Sequence, residues 1–412
     1  MSWLVRTEVS ESLAVNRDIT KRLKVRVGGS YNARYNTHHP PGDVDLVIRP
    51  LTPLTRISEK MDSFAVIEPG GYDLIHSFNA IPVLTRTPFI VTFEDYCPRC
   101  PEDRSIAWLE RLLRRILLSS RCKAIVAMSK YALRKFRRQH QNCLNLAALL
   151  AKTHVVYPAM PTTSSPPKPA GDKLRLLFVG TDFMRKGGPA VLEAHRRLMA
   201  LRIPVQTTVV SALRWSEQDY VGPPDPRRSQ AIMNSIVGSG LRHFPGLGHE
   251  GTLELMQRAD YLLLPTLHDT FGYVSLEAMS RGTPSIATST CAQNEIIEHD
   301  QSGFLLDFDN DPVVGEWICL YGQSKPGYVD AYWQAIEKLA RELVETLALA
   351  WERHKDYEQM SAAAIRRTVE SFDRTEARRR LASLYRFALS PRQSVQGGAH
   401  NAATPEIPTV PN

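Results

Sequence analysis

Short apolar runs alternate with amphipathic stretches over residues 1–160. Leu23–Val27 alternates apolar and basic residues and then meets Gly28 and Gly29; Val44–Ile48 is a second run, and 73–77 and 88–92 are two more. Over 105–118 a helical spacing puts Ile106, Leu109, Leu113, Ile116 and Leu117 on one side, with Arg104, Arg111, Arg114 and Arg115 largely opposite. The stretch 123–127 reads as a strand, and Ser129 is placed to cap a short basic helix over 130–138. Strands and helices that alternate in this way predict a parallel sheet covered on both faces.

The pattern breaks at 158–171, where five prolines and several small residues can continue neither element, so an interdomain linker is predicted there. A second α/β series follows. Strands are predicted at Leu174–Val179, 205–211, 241–244, 261–265 and 284–288, with helices at 189–201, 251–259 and 273–281 between them. The polar, proline-rich stretch 215–228 reads as a surface insertion. Long helices are expected over 327–352 and 359–389, and a polar, disordered tail beyond Ser390. The chain therefore divides into a first domain at 1–160, a second at 161–358, a closing helical segment at 359–389 and the tail at 390–412.

Composition bounds this picture. At 412 residues, 43% of them hydrophobic and 23% charged, two domains are the default. No apolar run approaches the roughly 20 residues a membrane-spanning helix needs. The opening MSWLVRTEVSESL does not read as a secretory signal, and six cysteines do not make a disulfide framework for so long a chain, so reduced thiols and a cytoplasmic location are expected. The net charge of +8 is unevenly shared. Residues 1–160 hold 24 Lys+Arg against 14 Asp+Glu, and the remainder holds 27 against 29. The basic half could face an anionic membrane surface or anionic substrate; nucleic acid is not expected, because no recognition module accompanies the charge. Cys97 and Cys100 supply two ligands where a structural zinc needs four, and no second pair follows, so no metal is expected. No Gly-x-Ser-x-Gly elbow supports a serine hydrolase.

The densest chemical signal lies at 262–287, where an apolar strand runs into a loop that ends at a helix start. Backbone N–H groups and the helix dipole there suit a phosphate, and Gly272 lets the loop come close. Asp269 and Glu277 bracket the turn. Carboxylates so placed can accept hydrogen bonds from sugar hydroxyls, although acids near a helix start also simply cap it or complement its dipole.

The run from Asp269 through Glu277, followed by Ala278-Met279 and Gly282-Thr283-Pro284, resembles the donor signature of family-4 retaining glycosyltransferases of the GT-B fold, in which the first acid is usually Glu. Leu176 to Gly187 resembles the same family's diphosphate loop, His243 to Gly246 its nucleotide-side segment, and Phe372 with Leu384-Tyr385 its closing helix. The resemblance implies two Rossmann-like domains facing a cleft, with the last helix crossing back to the first. It places Lys186 and Arg185 on the diphosphate, and Asp269, Phe271, Gly272, Tyr273 and Glu277 around the donor. Gly28 and Gly29 could reach the phosphates, or form only a turn. His76, Glu94 and Asp95 fall on the acceptor side; Glu94 stands where the family commonly has His, and His76 by itself reads better as a satisfied core or loop histidine.

The implied activity is transfer of a hexose from a nucleotide sugar to a glycan or lipid-linked acceptor with retention, without a metal or other cofactor. The nucleotide sugar is then a co-substrate. The resemblance to lipid-acceptor enzymes also permits the basic helices to meet anionic lipid as a peripheral protein on the inner membrane face. A non-catalytic glycosyltransferase-like scaffold or sugar-binding subunit is the alternative, and a GT-B phosphorylase or epimerase a third reading.

Overall fold

The computed structural model describes residues 22–27, 44–49, 52–53, 64–66, 70–99, 107–160, 165–215 and 220–390. Gly28, Gly29, Cys100 and the tail 391–412 lie outside them. The described chain forms two six-stranded parallel sheets and a small three-stranded sheet. The first large sheet runs, edge to edge, Val44–Ile48, Leu23–Val27, Leu74–Phe78, Phe89–Phe93, Cys122–Ala127 and Thr153–Val155. The second runs Arg242–Phe244, Val205–Val210, Leu174–Val179, Tyr261–Leu264, Ser285–Thr288 and Gly303–Leu306.

Both sheets are buried on two faces, which is why their central strands, such as Tyr261–Leu264, are apolar throughout rather than alternating. In the second sheet Leu174–Val179 is the earliest strand and sits third. The chain therefore winds outward from it in one direction, then returns to Tyr261–Leu264 on its other side. Such a reversal leaves a crevice beyond the carboxyl ends of the two strands, where open α/β sheets hold ligands.

The C-terminal segment is two helices rather than the single one over 359–389. Tyr357–Phe372 stops at Asp373, whose carboxylate accepts from the backbone N–H groups of Thr375 and Glu376 and starts Arg374–Leu389. The second of these packs Leu381, Leu384, Tyr385 and Ala388 against Val25, Leu74, Ile90 and Ala124 of the first sheet. Tyr328–Glu352 instead lies on the second domain, with Tyr332, Leu339 and Leu343 in the core that also holds Phe178 and Phe183.

The stretch 215–228 is not merely a surface insertion. Val221 is buried in the second core, Tyr328 Oη donates to its carbonyl at 2.6 Å, and Asp225 caps the helix Pro226–Asn234. Among the described residues no helix is long and apolar enough to cross a membrane.

Candidate active site

Two loops meet at the crevice of the second sheet. One follows Leu174–Val179 and carries Arg185 and Lys186; the other follows Tyr261–Leu264 and carries His268 to Gly272. They are laced together, since Leu267 N–H and Thr266 Oγ1 both donate to the Arg185 carbonyl, at 3.1 and 3.3 Å. Gly187 makes the contact possible. At its φ of +77° a Cβ would lie 1.8 Å from the Pro265 carbonyl oxygen.

Across this junction Lys186 Nζ lies 2.5 Å from Asp269 Oδ2, each side chain 16% exposed. Burial pushes the Asp269 carboxyl up, but Lys186, with Arg185 behind it, outweighs burial and holds it below the usual carboxylate range. Arg185 itself is engaged by Asp182, with Nε 3.0 Å from Oδ2, and its Nη1 donates to the His268 carbonyl at 3.4 Å.

Gly272, at φ +90°, precedes the short helix Tyr273–Met279; a Cβ there would meet Gln293 Nε2 at 1.8 Å. Glu277 sits within this helix, buried, with His249 Nδ1 4.0 Å from Oε1. Phe271 does not face the crevice with its ring. It is buried between Tyr273 and Phe372, so only its backbone borders the loop. Tyr273 is half-buried, its hydroxyl 3.9 Å from the Met128 sulfur of the first domain.

The first domain brings Glu94 and Asp95 to the same place, on the segment after Phe89–Phe93. Glu94 accepts from Asn79 Nδ2 at 2.9 Å and from Arg99 Nη2 at 3.3 Å, and Thr270 of the second domain donates to its other oxygen at 3.4 Å. Burial raises its carboxyl against the Arg99 and Asn79 contacts, and nearby Asp95 and Asp269 push the same way. His76 goes elsewhere. It is a core histidine, bonded through Nδ1 to Tyr385 Oη at 2.7 Å and through Nε2 to Thr92 Oγ1 at 2.6 Å, and burial lowers it to about 4. Cys97 is buried too, its backbone tied to Gln139 and His140. Among the described residues no three His, Cys, Asp or Glu side chains gather as metal ligands would.

Comparison with known proteins bears on these loops. Residues 161–314 match the family model described as Glycosyl transferases group 1, a span that contains both loops and the helix with Glu277. The chain carries a glycosyltransferase group 1 domain. Over 142 residues it is 30% identical to D-inositol 3-phosphate glycosyltransferase of Arthrobacter sp. (strain FB24), covering 34% of this chain and 32% of that protein. Lipopolysaccharide glucosyltransferase WaaG of Escherichia coli (strain K12) is 32% identical over 133 residues, covering 32% of each. An uncharacterized glycosyltransferase of Methanocaldococcus jannaschii is 30% identical over 197 residues, covering 44% of this chain and 46% of that one.

The chain thus spans about a third to a half of the length of these relatives. Among solved structures, a glycosyltransferase from Rickettsia africae aligns at a TM-score of 0.61 with 14% identity, covering 91% of this chain and all of that one. Anabaena Alr3699/HepE in complex with UDP aligns at 0.56, also with 14% identity, covering 88% and 99%. At that identity the likeness is one of fold, and it extends over both sheets of the GT-B arrangement.

The group 1 domain meets the first domain through side chains that the sequence pattern did not single out. Glu295 of the second domain accepts from Lys130 N–H and Tyr131 N–H, both at 2.6 Å, and so caps the helix Lys130–His140 of the first. Deeper in, Glu316 accepts from Lys135 Nζ at 2.5 Å and Tyr131 Oη at 2.6 Å. Burial alone would raise Glu316, but His268 and Lys135 bring it down to about 2. The only hint in the sequence is a lysine, Lys135, at an otherwise apolar helix position between Ala132 and Phe136.

Proposed function

We propose that this chain is a retaining glycosyltransferase that moves a hexose from a nucleotide sugar to a glycan or lipid-linked acceptor without a metal. The observation that carries the reading is the junction of Lys186 and Asp269 on the two loops at the sheet reversal, with Glu277 on the helix that follows, inside the stretch that matches the group 1 family. In this reading the nucleotide diphosphate takes Lys186 as its cation, with Arg185 beside it, while Asp269 and Glu277 receive sugar and ribose hydroxyls. The acceptor oxygen bonds to the anomeric carbon on the face from which the diphosphate leaves. The sugar–phosphate bond breaks, and the acceptor proton passes to the departing diphosphate oxygen. A preorganised ammonium lowers the cost of the charge that develops there.

Glu94 and Asp95 border the acceptor in this reading, and closure of the cleft keeps water from competing. On the first domain, Trp108 is 60% and Leu112 41% exposed on the helix Ala107–Leu118, beside exposed Arg111 and Arg115. Apolar bulk flanked by cations on an outer helix is the chemistry that rests on an anionic membrane surface, which fits a peripheral enzyme with a lipid-linked acceptor.

Because Anabaena HepE is described in complex with UDP and with UDP-glucose, uridine nucleotides are the first donors to try. The variant Glu277→Gln keeps shape and loses the charge. Transfer from UDP-glucose is expected to fall at least about a hundredfold. Turnover within a few-fold of the original overturns the assigned role, and a wild type that no nucleotide stabilises against heat points instead to a scaffold.

A further inference from the structure

Five side chains form a buried polar knot where the two domains meet. Asp95, Tyr131 and Lys135 come from the first domain, and His268 and Glu316 from the second. Glu316 Oε1 holds Lys135 Nζ at 2.5 Å and Tyr131 Oη at 2.6 Å, and His268 Nε2 lies 3.6 Å away. Lys135 Nζ also reaches Asp95 Oδ1 at 3.3 Å and sits 4.2 Å from the centre of the Tyr96 ring. The Lys135 side chain is 3% exposed and that of His268 1%.

Buried ion pairs contribute little net attraction, because the desolvation of both partners offsets the Coulomb term. Their directional demands are what remain. Glu316 can accept from Lys135 and Tyr131 and keep His268 within ion-pair range only when the helix Lys130–His140 and the loop carrying His268 stand in one register. That register has a chemical consequence, since Asp95 follows Glu94 and His268 precedes Asp269 in the chain. Two members of the knot are therefore one peptide bond from residues that border the reacting centre on opposite domains. The Thr270 hydroxyl donates to Glu94 Oε2 at 3.4 Å and links those two segments of the site directly.

We propose that Lys135 and Glu316 are positioning residues: by closing across the domain boundary they set Glu94 against Asp269, and neither touches substrate. The inference rests on the glycosyl-transfer reading, and its test separates the two. Glu316→Gln preserves volume and an acceptor for Tyr131 while removing the charge that Lys135 and His268 share. Titration calorimetry with UDP, turnover with UDP-glucose and small-angle scattering would be measured on the full chain.

The variant is expected to bind UDP within about twofold of wild type while turnover at saturating donor falls about ten- to a hundredfold, as an ångström of misplacement allows. Its scattering should report a wider spread of domain separations, and Glu316→Asp, which keeps the charge, should recover part of the turnover. Unchanged turnover, or a loss fully matched by weaker UDP binding, overturns the proposal. Should Glu316→Gln fail to fold, Tyr131→Phe, which removes one hydroxyl from the knot, carries the same split, and unchanged turnover in it overturns the proposal equally. If wild type binds no nucleotide, the transferase reading fails alone; scattering then decides the knot, with unaltered domain separation in Glu316→Gln counting against it.

Discussion

Two lysine–carboxylate pairs with the same 2.5 Å separation lie within this cleft, and they differ in everything around them. Lys186 and Asp269 come from two loops of one domain, each is 16% exposed, and a second cation, Arg185, stands beside them. Lys135 and Glu316 come from different domains, are 3% and 12% exposed, and have Asp95, Tyr131 and His268 as further partners. An entering anion can replace Asp269 on Lys186 with Arg185 as a second cation, and few other contacts of the pair are disturbed. Lys135 and Glu316 also border a cavity, with Tyr96 and Tyr321, but displacing Glu316 from Lys135 disturbs its Tyr131 and His268 contacts as well. Separation alone therefore does not define what an ion pair does; the number and origin of its further partners do.

The largest expected effect breaks this contrast directly. Lys135→Met strands Asp95 and Glu316 as buried carboxylates without their shared cation, which should cost about 3–5 kcal/mol in denaturant unfolding. Lys186→Met leaves Asp269 beside Arg185, which supplies part of the lost attraction, so a smaller loss is expected. Equal losses would erase the distinction between the pairs.

A second expectation concerns acid. His76 titrates near 4 in the folded chain against 6.5 when exposed, because burial disfavours its charged form. The unfolded chain therefore takes up this proton first. The stability contributed by neutral His76 is complete above pH 6.5 and is lost as pH falls toward 4, by about 3 kcal/mol at 1.36 kcal/mol per pH unit. Glu316, held down to about 2, adds a further loss only below about pH 4.5. Unfolding curves between pH 7 and 4 should thus flatten in His76→Gln and stay steep in Glu316→Gln; a slope unchanged in His76→Gln contradicts the assignment.

Much of the fold was legible because it is written locally. Ser129 was readable as a helix cap, and its hydroxyl does accept from Ala132 N–H at 2.9 Å. The apolar runs from Leu174 to Thr288 announced the second sheet, and Asp269 and Glu277 stood out by spacing. Asp373 was legible in principle, since an acid three residues before Glu376 is a capping signal, yet the apolar periodicity on both sides of it masks the break.

What could not be read depends on partners far along the chain. Glu316 lies 181 residues from Lys135, and Tyr385 lies 309 residues from His76. No local pattern distinguishes a histidine that will find a tyrosine in the closing helix from one that will line a cleft. Val221, a lone apolar residue among prolines, was hidden for the same reason.

The most direct measurement is UDP affinity by titration calorimetry on three proteins: wild type, Lys186→Met and Glu316→Gln. If the Lys186–Asp269 pair receives the diphosphate and the Lys135–Glu316 pair only registers the domains, Lys186→Met should weaken binding at least about tenfold, or 1.4 kcal/mol, and Glu316→Gln should leave it within about twofold. Full UDP affinity in Lys186→Met, or an equal loss in both variants, would contradict that division.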